Sequence, residues 1–186
     1  MLTVGAGLFT GISSDALLGS AGPAGRTTVT VADRLWLLGD GAISSSTFGG
    51  GDAGSVEVTA GRLRVDGTAS AGGQTLIASQ SGPAASGAAG DVAVTVAGEL
   101  ELVGTGTIST TAFGTGAGGT VRVAAGQLRI DGSATPDAFT GIASNAPPSS
   151  TGDGGQIFVT VAGRLTIQGG GNISSGTFAD GDAGSV

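Results

Sequence analysis

The sequence predicts an all-β fold, a parallel β-helix or β-solenoid, and two observations carry this prediction. A 65-residue unit repeats without a gap: residues 34–56 and 164–186 match at 15 of 23 positions, and residues 99–121 form a weaker copy midway. Short segments of alternating apolar residues also recur between clusters of glycine, which contributes 39 of the 186 residues. Three short strands per turn, separated by Gly-rich corners and repeated in register, are typical of a solenoid coil.

Each 65-residue repeat contains two coils. The pattern Leu-x-Leu/Val/Ile restarts at spacings that alternate between 28 and 37 residues, so short and long coils alternate along the chain. A long coil keeps the three strand segments of a short one and adds residues on both sides of the middle segment. We therefore predict one β-helix domain over residues 1–186 with about six coils: 2–34, 35–62, 63–99, 100–127, 128–164 and the incomplete 165–186.

Equivalent positions of the coils should form ladders, because neighbouring strands lie about 4.7 to 4.9 Å apart. The pattern predicts an inward leucine ladder of Leu35, Leu63, Leu100, Leu128 and Leu165. The next positions along the chain form an outward row of Trp36, Arg64, Glu101, Arg129 and Thr166. Opposite charges alternate in the middle of this row, as suits neighbouring strands. Exposed pairs are each worth well under about 1 kcal/mol, so we interpret them as register markers and the apolar core as the source of stability.

The composition excludes most catalytic chemistry. The chain has no His, Cys, Tyr or Lys, which removes imidazole bases, thiolate nucleophiles, Cys/His metal sites and lysine Schiff bases. Seven arginines against 14 acidic residues give a net charge of -7, which disfavours a phosphate-neutralising surface. We therefore expect no enzyme activity, no cofactor or metal, and no nucleic-acid partner.

Two repeated phrases carry a resemblance to a known family. Gly-x-Ile-Ser-Ser-x-Thr-Phe-x-x-Gly-Asp-Ala-Gly-Ser-Val occupies residues 41–56 and 171–186, and Val-x-Ala-Gly-x-Leu-x-Val-x-Gly follows at 58–67. They resemble the repeat tracts of filamentous haemagglutinin-like large exoproteins, the two-partner secretion adhesins of Gram-negative bacteria and cyanobacteria. The resemblance covers essentially the whole chain. It implies a right-handed β-helix that serves as a stalk of a secreted protein at the outer cell surface, in adhesion or display.

The same resemblance implies surface glycans or other cells as partners, together with the rest of a longer exoprotein chain. The first four residues lack the basic region of a signal peptide, and Val186 stands where the equivalent Val56 continues into a strand. We interpret the sequence as a segment of a longer protein. Uncapped terminal coils expose core and strand edges, which predicts end-to-end self-association.

The outward row supplies the candidate ligand contacts, which are Trp36, Arg64, Glu101 and Arg129. Trp36 is the only tryptophan of the chain. It is expected to project from a strand among small residues, where an indole suits a sugar-stacking or packing contact. A low-specificity glycan contact along this row is therefore one interpretation of the stalk.

A carbohydrate-binding or polysaccharide-degrading module on the same fold is the alternative function. Glu99 and Glu101 lie two apart on one predicted strand beside Arg62 and Arg64. Glycoside hydrolysis needs two carboxylates about 5 to 9.5 Å apart. The sister coils at 34–36 and 164–166 carry no carboxylate at these positions, so a solvated charged row is the plainer interpretation.

Acidic corners have a structural interpretation. Asp52, Asp180 and Asp182 lie in Gly-rich turns that lack the tandem nonapeptides of a calcium-binding β-roll, which favours turn aspartates over calcium ligands.

Hydroxyl-rich runs and loops also recur. Alternate members of the Ser/Thr runs at 44–47, 109–111 and 174–175 are predicted to face the core and bond neighbouring coils. Loops rich in Ala, Ser, Gly and Pro recur on one side of the long coils and form either a binding face or surface decoration. These loops span 15–25, 80–90 and 145–155.

Overall fold

The computed structural model describes residues 1–5, 10–148, 150–178 and 180–186. Within these ranges the regular structure is entirely β, and no helix is present. The strands are β1 (Leu2–Gly5), β2 (Thr10–Ala16), β3 (Thr27–Leu38), β4 (Gly41–Thr47), β5 (Val56–Asp66), β6 (Leu76–Ser81), β7 (Val92–Val103), β8 (Thr107–Ala112), β9 (Thr120–Asp131), β10 (Gly141–Ala146), β11 (Gln156–Val161), β12 (Leu165–Gln168) and β13 (Asn172–Thr177).

The strands form two parallel sheets that run along the molecule. Sheet A has the order β1-β3-β5-β7-β9-β11, and β12 also pairs with β9. Sheet B has the order β2-β4-β6-β8-β10-β13. Each strand thus pairs with the equivalent strand of a neighbouring turn. The chain winds through about five turns of a parallel β-solenoid, which confirms the predicted fold class.

Sheet A is bent, so each turn has three straight segments. The pairing of its long strands shifts register at one point in each: Val31/Arg34 in β3, Ala60/Leu63 in β5 and Val96/Glu99 in β7. At the bend of β5 the backbones approach closely, since a Cβ on Gly61 would lie 2.5 Å from the carbonyl oxygen of Ala32. The two segments of sheet A and the one segment of sheet B are the three segments that the sequence predicts.

The interior is a narrow column of stacked apolar ladders. Leu35, Leu63 and Leu100 lie in register and are at most 1% exposed. Leu128 continues the ladder in the core, and Leu165 continues it to the last turn, where 48% of the residue is exposed. This confirms the predicted leucine ladder. A second ladder from sheet B consists of Ile43, Ile77, Ile108 and Ile142, all 0% exposed.

A column of buried hydroxyl groups joins sheet B to the corner that follows it. Ser79 Oγ donates to the carbonyl of Gly54 at 2.7 Å and accepts from the N–H of Gly90 at 2.9 Å. One turn earlier, Ser45 Oγ donates to the carbonyl of Gly25 at 2.8 Å and accepts from the N–H of Gly54 at 3.1 Å. These hydroxyls satisfy backbone groups that would otherwise be buried without partners. The prediction that alternate Ser and Thr face the core and bond neighbouring coils is confirmed here.

The same corner has no room for side chains on its glycines. A Cβ built on Gly54, Gly90 or Gly119 would overlap the carbonyl oxygen of the glycine one turn earlier. Glycine is required at this corner because the backbones of successive turns approach one another closely. By contrast, Gly39 and Asp40 form the turn between β3 and β4 with φ of 39° and 65°, a left-handed region that favours glycine.

Long and short coils differ at two corners. The first corner spans 67–75 in a long coil against 39–40 in a short one, and the second spans 82–91 against 48–55. The longer loops stay stacked on their neighbours, since the N–H of Ala89 donates to the carbonyl of Ala117 at 3.0 Å and Ala85 is 2% exposed. The extra length is therefore absorbed without disturbing the register of the sheets.

Candidate functional site

Two outward rows run along the second segment of sheet A, on either side of the buried leucine ladder. The positions just after the leucines stack in register and carry Trp36, Arg64, Glu101, Arg129 and Thr166. The positions just before them carry Arg34, Arg62, Glu99, Gln127 and Arg164. We call these two rows the arginine face, because they hold five of the seven arginines of the chain.

An ion-pair network crosses three turns of this face. Arg64 Nη1 lies 2.6 Å from Glu101 Oε2, and Arg129 Nη1 lies 3.6 Å from Glu101 Oε1. Arg64 Nη2 also contacts Asp66 Oδ2 at 2.8 Å, and Arg129 contacts Asp131. These side chains remain 14% to 37% exposed, so solvent screens the pairs and each is worth less than about 1 kcal/mol. The network matches the charge alternation predicted for the row.

The two aspartates of the network have lowered pKa values. Partial burial opposes ionisation of Asp66, but hydrogen bonds from Thr68 and Arg64 outweigh it and lower the pKa. At the equivalent position one repeat later, hydrogen bonds from the hydroxyl and the N–H of Ser133 lower the pKa of Asp131 to about 2. Both carboxylates are therefore ionised at neutral pH and hold the neighbouring guanidinium groups in place.

Trp36 lies in a groove lined by arginines. The groove has a volume of about 300 Å³ and is lined by Arg34, Trp36, Arg62, Leu63, Arg64, Glu99 and Glu101. Trp36 is half-buried and pairs in register with Arg64. The expectation that Trp36 projects among small residues is wrong, because residues on the adjacent strand set its surroundings.

A like-charge pair occupies the other wall of this groove. Arg34 and Arg62 lie directly opposite one another on neighbouring strands. Arg34 approaches Asp33 at 3.9 Å, with side-chain exposures of 47% and 71%. Arg62 has no ion pair with any residue that the structure describes. Like charges in this position destabilise a sheet. Sequence reasoning placed Arg62 beside Glu99 but missed its pairing with Arg34, although arginine precedes three of the ladder leucines.

A second groove lies further along the same face. It has a volume of about 270 Å³ and is lined by Glu99, Gln127, Leu128, Arg129, Arg164 and Thr166. The four candidate contacts predicted from the sequence therefore lie in one row along two adjoining grooves. Contact of any of them with a ligand stays a prediction.

The acidic residues of this face do not form a free catalytic pair. Both oxygens of Glu101 face guanidinium groups, one of Arg64 and one of Arg129. Glu99 is exposed at the rim between the two grooves. A glycosidase needs one carboxyl group to deliver a proton and another to attack or to activate water. With both oxygens engaged by arginines, Glu101 is poorly placed for either task.

The corner aspartates bind backbone groups of neighbouring turns. Asp52 Oδ1 accepts from the N–H of Ala88 at 2.8 Å, and Asp153 Oδ1 accepts from the N–H of Asp182 at 2.8 Å. Asp180 and Asp182 have exposed side chains. Among the residues with described positions, no three acidic side chains gather as a metal site would require. The contact of Asp52 agrees with the turn interpretation.

An apolar groove, which sequence reasoning also missed, lies at the corner after sheet B. It has a volume of about 170 Å³ and is lined by Ser46, Phe48, Gln80, Gly82, Pro83 and Phe113. Phe48 is 41% exposed there. The phenylalanines come from two short coils, and the intervening long coil contributes the Gly82–Pro83 step between them. The recurring loops thus border this groove.

The described part of the chain contains no helix that is long and apolar enough to cross a membrane. No family model, no curated protein and no solved structure matches the chain. The resemblance to haemagglutinin-like exoproteins therefore rests on the repeated phrases and their spacing.

Proposed function

We propose that the chain is a structural rod, a stalk segment of a secreted adhesin-like exoprotein that mediates adhesion or display at the outer cell surface. The observation that supports this proposal is the unbroken register of the leucine ladder. It continues from Leu2 through every turn to Leu165. A chain that repeats one cross-section without interruption gains length with each turn while its width stays constant.

The contacts within the solenoid favour a stiff rod. Each turn packs on its neighbours alone, so bending must disturb parallel hydrogen bonds in both sheets and the apolar ladders between them. The hydroxyl column adds further links, since Thr110 and Ser144 of successive turns share a buried hydrogen bond of 2.8 Å. Such a rod can hold flanking parts of a protein at a fixed distance from a surface.

The partners in this proposal are surface glycans or other cells, and the remainder of a longer exoprotein. For end-to-end self-association, the apolar side chains of Leu165 and Ile167 on β12, which are 48% and 44% exposed, offer a contact surface to a second copy.

Duplication of one repeat tests the rod directly. A variant in which residues 35–99 are duplicated adds two turns, so its maximum dimension in small-angle X-ray scattering should increase by about 10 Å with an unchanged cross-section. A thicker particle with unchanged length would contradict the proposal.

For the location, an antibody against the chain should label unpermeabilised cells that produce the full protein. Labelling only after permeabilisation would contradict surface display.

A carbohydrate-binding module on the same fold is the second candidate, favoured by the groove beside Trp36. Polysaccharide degradation has less support, because Arg64 and Arg129 engage both oxygens of Glu101. Release of reducing ends from a polysaccharide by the purified chain would favour the degradative alternative over the rod.

A further inference from the structure

The arginine face is an exception in an acidic molecule. Outside its two rows and the two aspartates of the network, Asp66 and Asp131, the chain carries two arginines and ten acidic residues. Those two arginines have partners of their own: Arg26 lies 3.9 Å from Glu57, and Arg122 lies over the ring of Phe158 at 5.3 Å. Most of the positively charged side chains, five of seven, are thus concentrated on this one face.

Within that face, four of the five arginines fall into two groups. Arg64 and Arg129 are held by carboxylates on both sides. Arg34 and Arg62 are cross-strand partners, and among the described residues Arg34 contacts only the exposed Asp33, at 3.9 Å, while Arg62 has no ion pair. Like charges at directly opposite positions of neighbouring strands repel each other, and an anion placed between them would convert the repulsion into two charge-assisted contacts. The planar guanidinium fork matches a carboxylate in particular.

The groove supplies a second recognition element beside this pair. Trp36 is half-buried and lines the same groove as Arg34 and Arg62, so part of its side chain is open to a ligand there. Aromatic side chains of this kind combine a large apolar surface with a polar edge, which suits the mixed polarity of a sugar ring. A volume of about 300 Å³ is at the lower end of the range for small-molecule sites and fits a short saccharide segment.

We propose that the groove binds an acidic saccharide, with the sugar ring on Trp36 and its carboxylate between the guanidinium groups of Arg34 and Arg62. A neutral sugar would leave the repulsion of this pair in place. A nucleic acid carries about one charge per 1.7 Å of duplex and would meet the acidic remainder of the chain along its length. The carboxylates of an acidic saccharide recur at intervals of one or two sugars, so such a ligand fits a short basic groove better than a nucleic acid does.

This inference goes beyond the rod and does not depend on it, since a rod that binds no saccharide would still pass the scattering test. Trp36 provides the readout, because it is the only tryptophan and its fluorescence reports on the groove alone. The probe is trigalacturonate, with maltotriose as the neutral control, a sulfated oligosaccharide as a test for carboxylate preference, and single-stranded DNA as the nucleic-acid control.

We expect saturable quenching or enhancement with trigalacturonate that weakens as salt is added, and no change with maltotriose. Arg34→Gln and Arg62→Gln should each weaken binding about tenfold or more, as loss of a hydrogen bond to a charged group does. Arg122→Gln, on the other segment of sheet A, should bind as the parent does.

Without ligand at low salt, Arg62→Gln should unfold at a slightly higher temperature, because the repulsion with Arg34 is removed.

Four outcomes would overturn the proposal: no response to trigalacturonate, equal binding of maltotriose, binding that survives both arginine substitutions, or tighter binding of DNA. Tighter binding of the sulfated oligosaccharide would overturn the assignment to a carboxylate. A lower unfolding temperature for Arg62→Gln would contradict the like-charge argument on which the site rests.

Discussion

The guanidinium group of Arg64 donates to Oε2 of Glu101 at 2.6 Å, although 37 positions separate the two residues. That separation is one complete long coil. The same register places Leu63 on Leu100 in the core, so the outward charges lie where the buried ladder puts them. Arg129 approaches the other oxygen of Glu101 from the next turn, which makes this carboxylate the centre of a three-turn network.

Reversal of the central charge tests this network. Glu101→Arg would place three arginines in register, and we expect the free energy of unfolding to fall by about 1 kcal/mol or more at low salt and to recover partly at high salt. The paired variant Arg64→Glu with Glu101→Arg should restore part of the loss. Urea denaturation at two salt concentrations measures both effects. A loss that is independent of salt would show that packing, rather than charge, is responsible.

The buried hydroxyl column gives a prediction about polar groups in the core. Ser79→Ala removes the partner of both the Gly54 carbonyl and the Gly90 N–H, and leaving buried groups unpaired costs about 1 to 3 kcal/mol. Ser13→Ala makes the same chemical change at an exposed position of sheet B and should leave the free energy of unfolding nearly unchanged. Equal urea midpoints for the two variants would count against the column as a source of stability.

The corner glycines give a prediction about close backbone approach. Gly90→Ala places a methyl group against the carbonyl oxygen of Gly54, so we expect a large loss of thermal stability or failure to fold. Gly22→Ala adds the same methyl group where nothing lies within 4 Å, and its melting temperature should stay within a few degrees of the parent. Circular dichroism melting curves compare the pair. Similar curves for both variants would mean that the turns do not stack as closely as described.

The lowered pKa of Asp131 gives a prediction about acid. Because the carboxyl has a pKa of about 2 in the folded chain and an ordinary value of about 3.9 when unfolded, its contribution is complete above about pH 4 and is lost as the pH falls towards 2. Asp131→Asn should therefore lower stability at pH 6 and flatten the decline between pH 4 and 2. Urea unfolding midpoints measured between pH 6 and pH 2 test both effects, with the exposed Asp137→Asn as the control. A parallel decline in Asp131→Asn and the parent would rule out this contribution.

Much of the fold follows from periodicity alone. The recurrence of leucine at alternating spacings of 28 and 37 was enough to predict which residues stack, and Leu35, Leu63 and Leu100 are paired and buried accordingly. The charge row was predictable for the same reason, since it is one position along from the ladder. Register is the property that a gapless repeat specifies best.

The site was less predictable, because it depends on neighbours across strands. The surroundings of Trp36 include Arg62 and Arg64, which lie on the neighbouring strand β5, 26 and 28 positions further along the chain. The role of Ser79 likewise depends on where the corner at Gly54 and Gly90 passes the strand. Neither the surroundings of Trp36 nor the partners of Ser79 can be predicted from a short stretch of sequence.

The proposed rod requires a rigid solenoid whose turns keep one register from end to end. Thr3 pairs in register with Trp36 and so extends the outward row to the first turn. The chain has no cysteine, so spin labels attached to Thr3→Cys and Thr166→Cys would occupy the two ends of this row without background. Double electron–electron resonance should give a single narrow distance near about 24 Å, because five steps between turns separate the labels. A broad distribution, or a principal distance well away from this value, would contradict the rod.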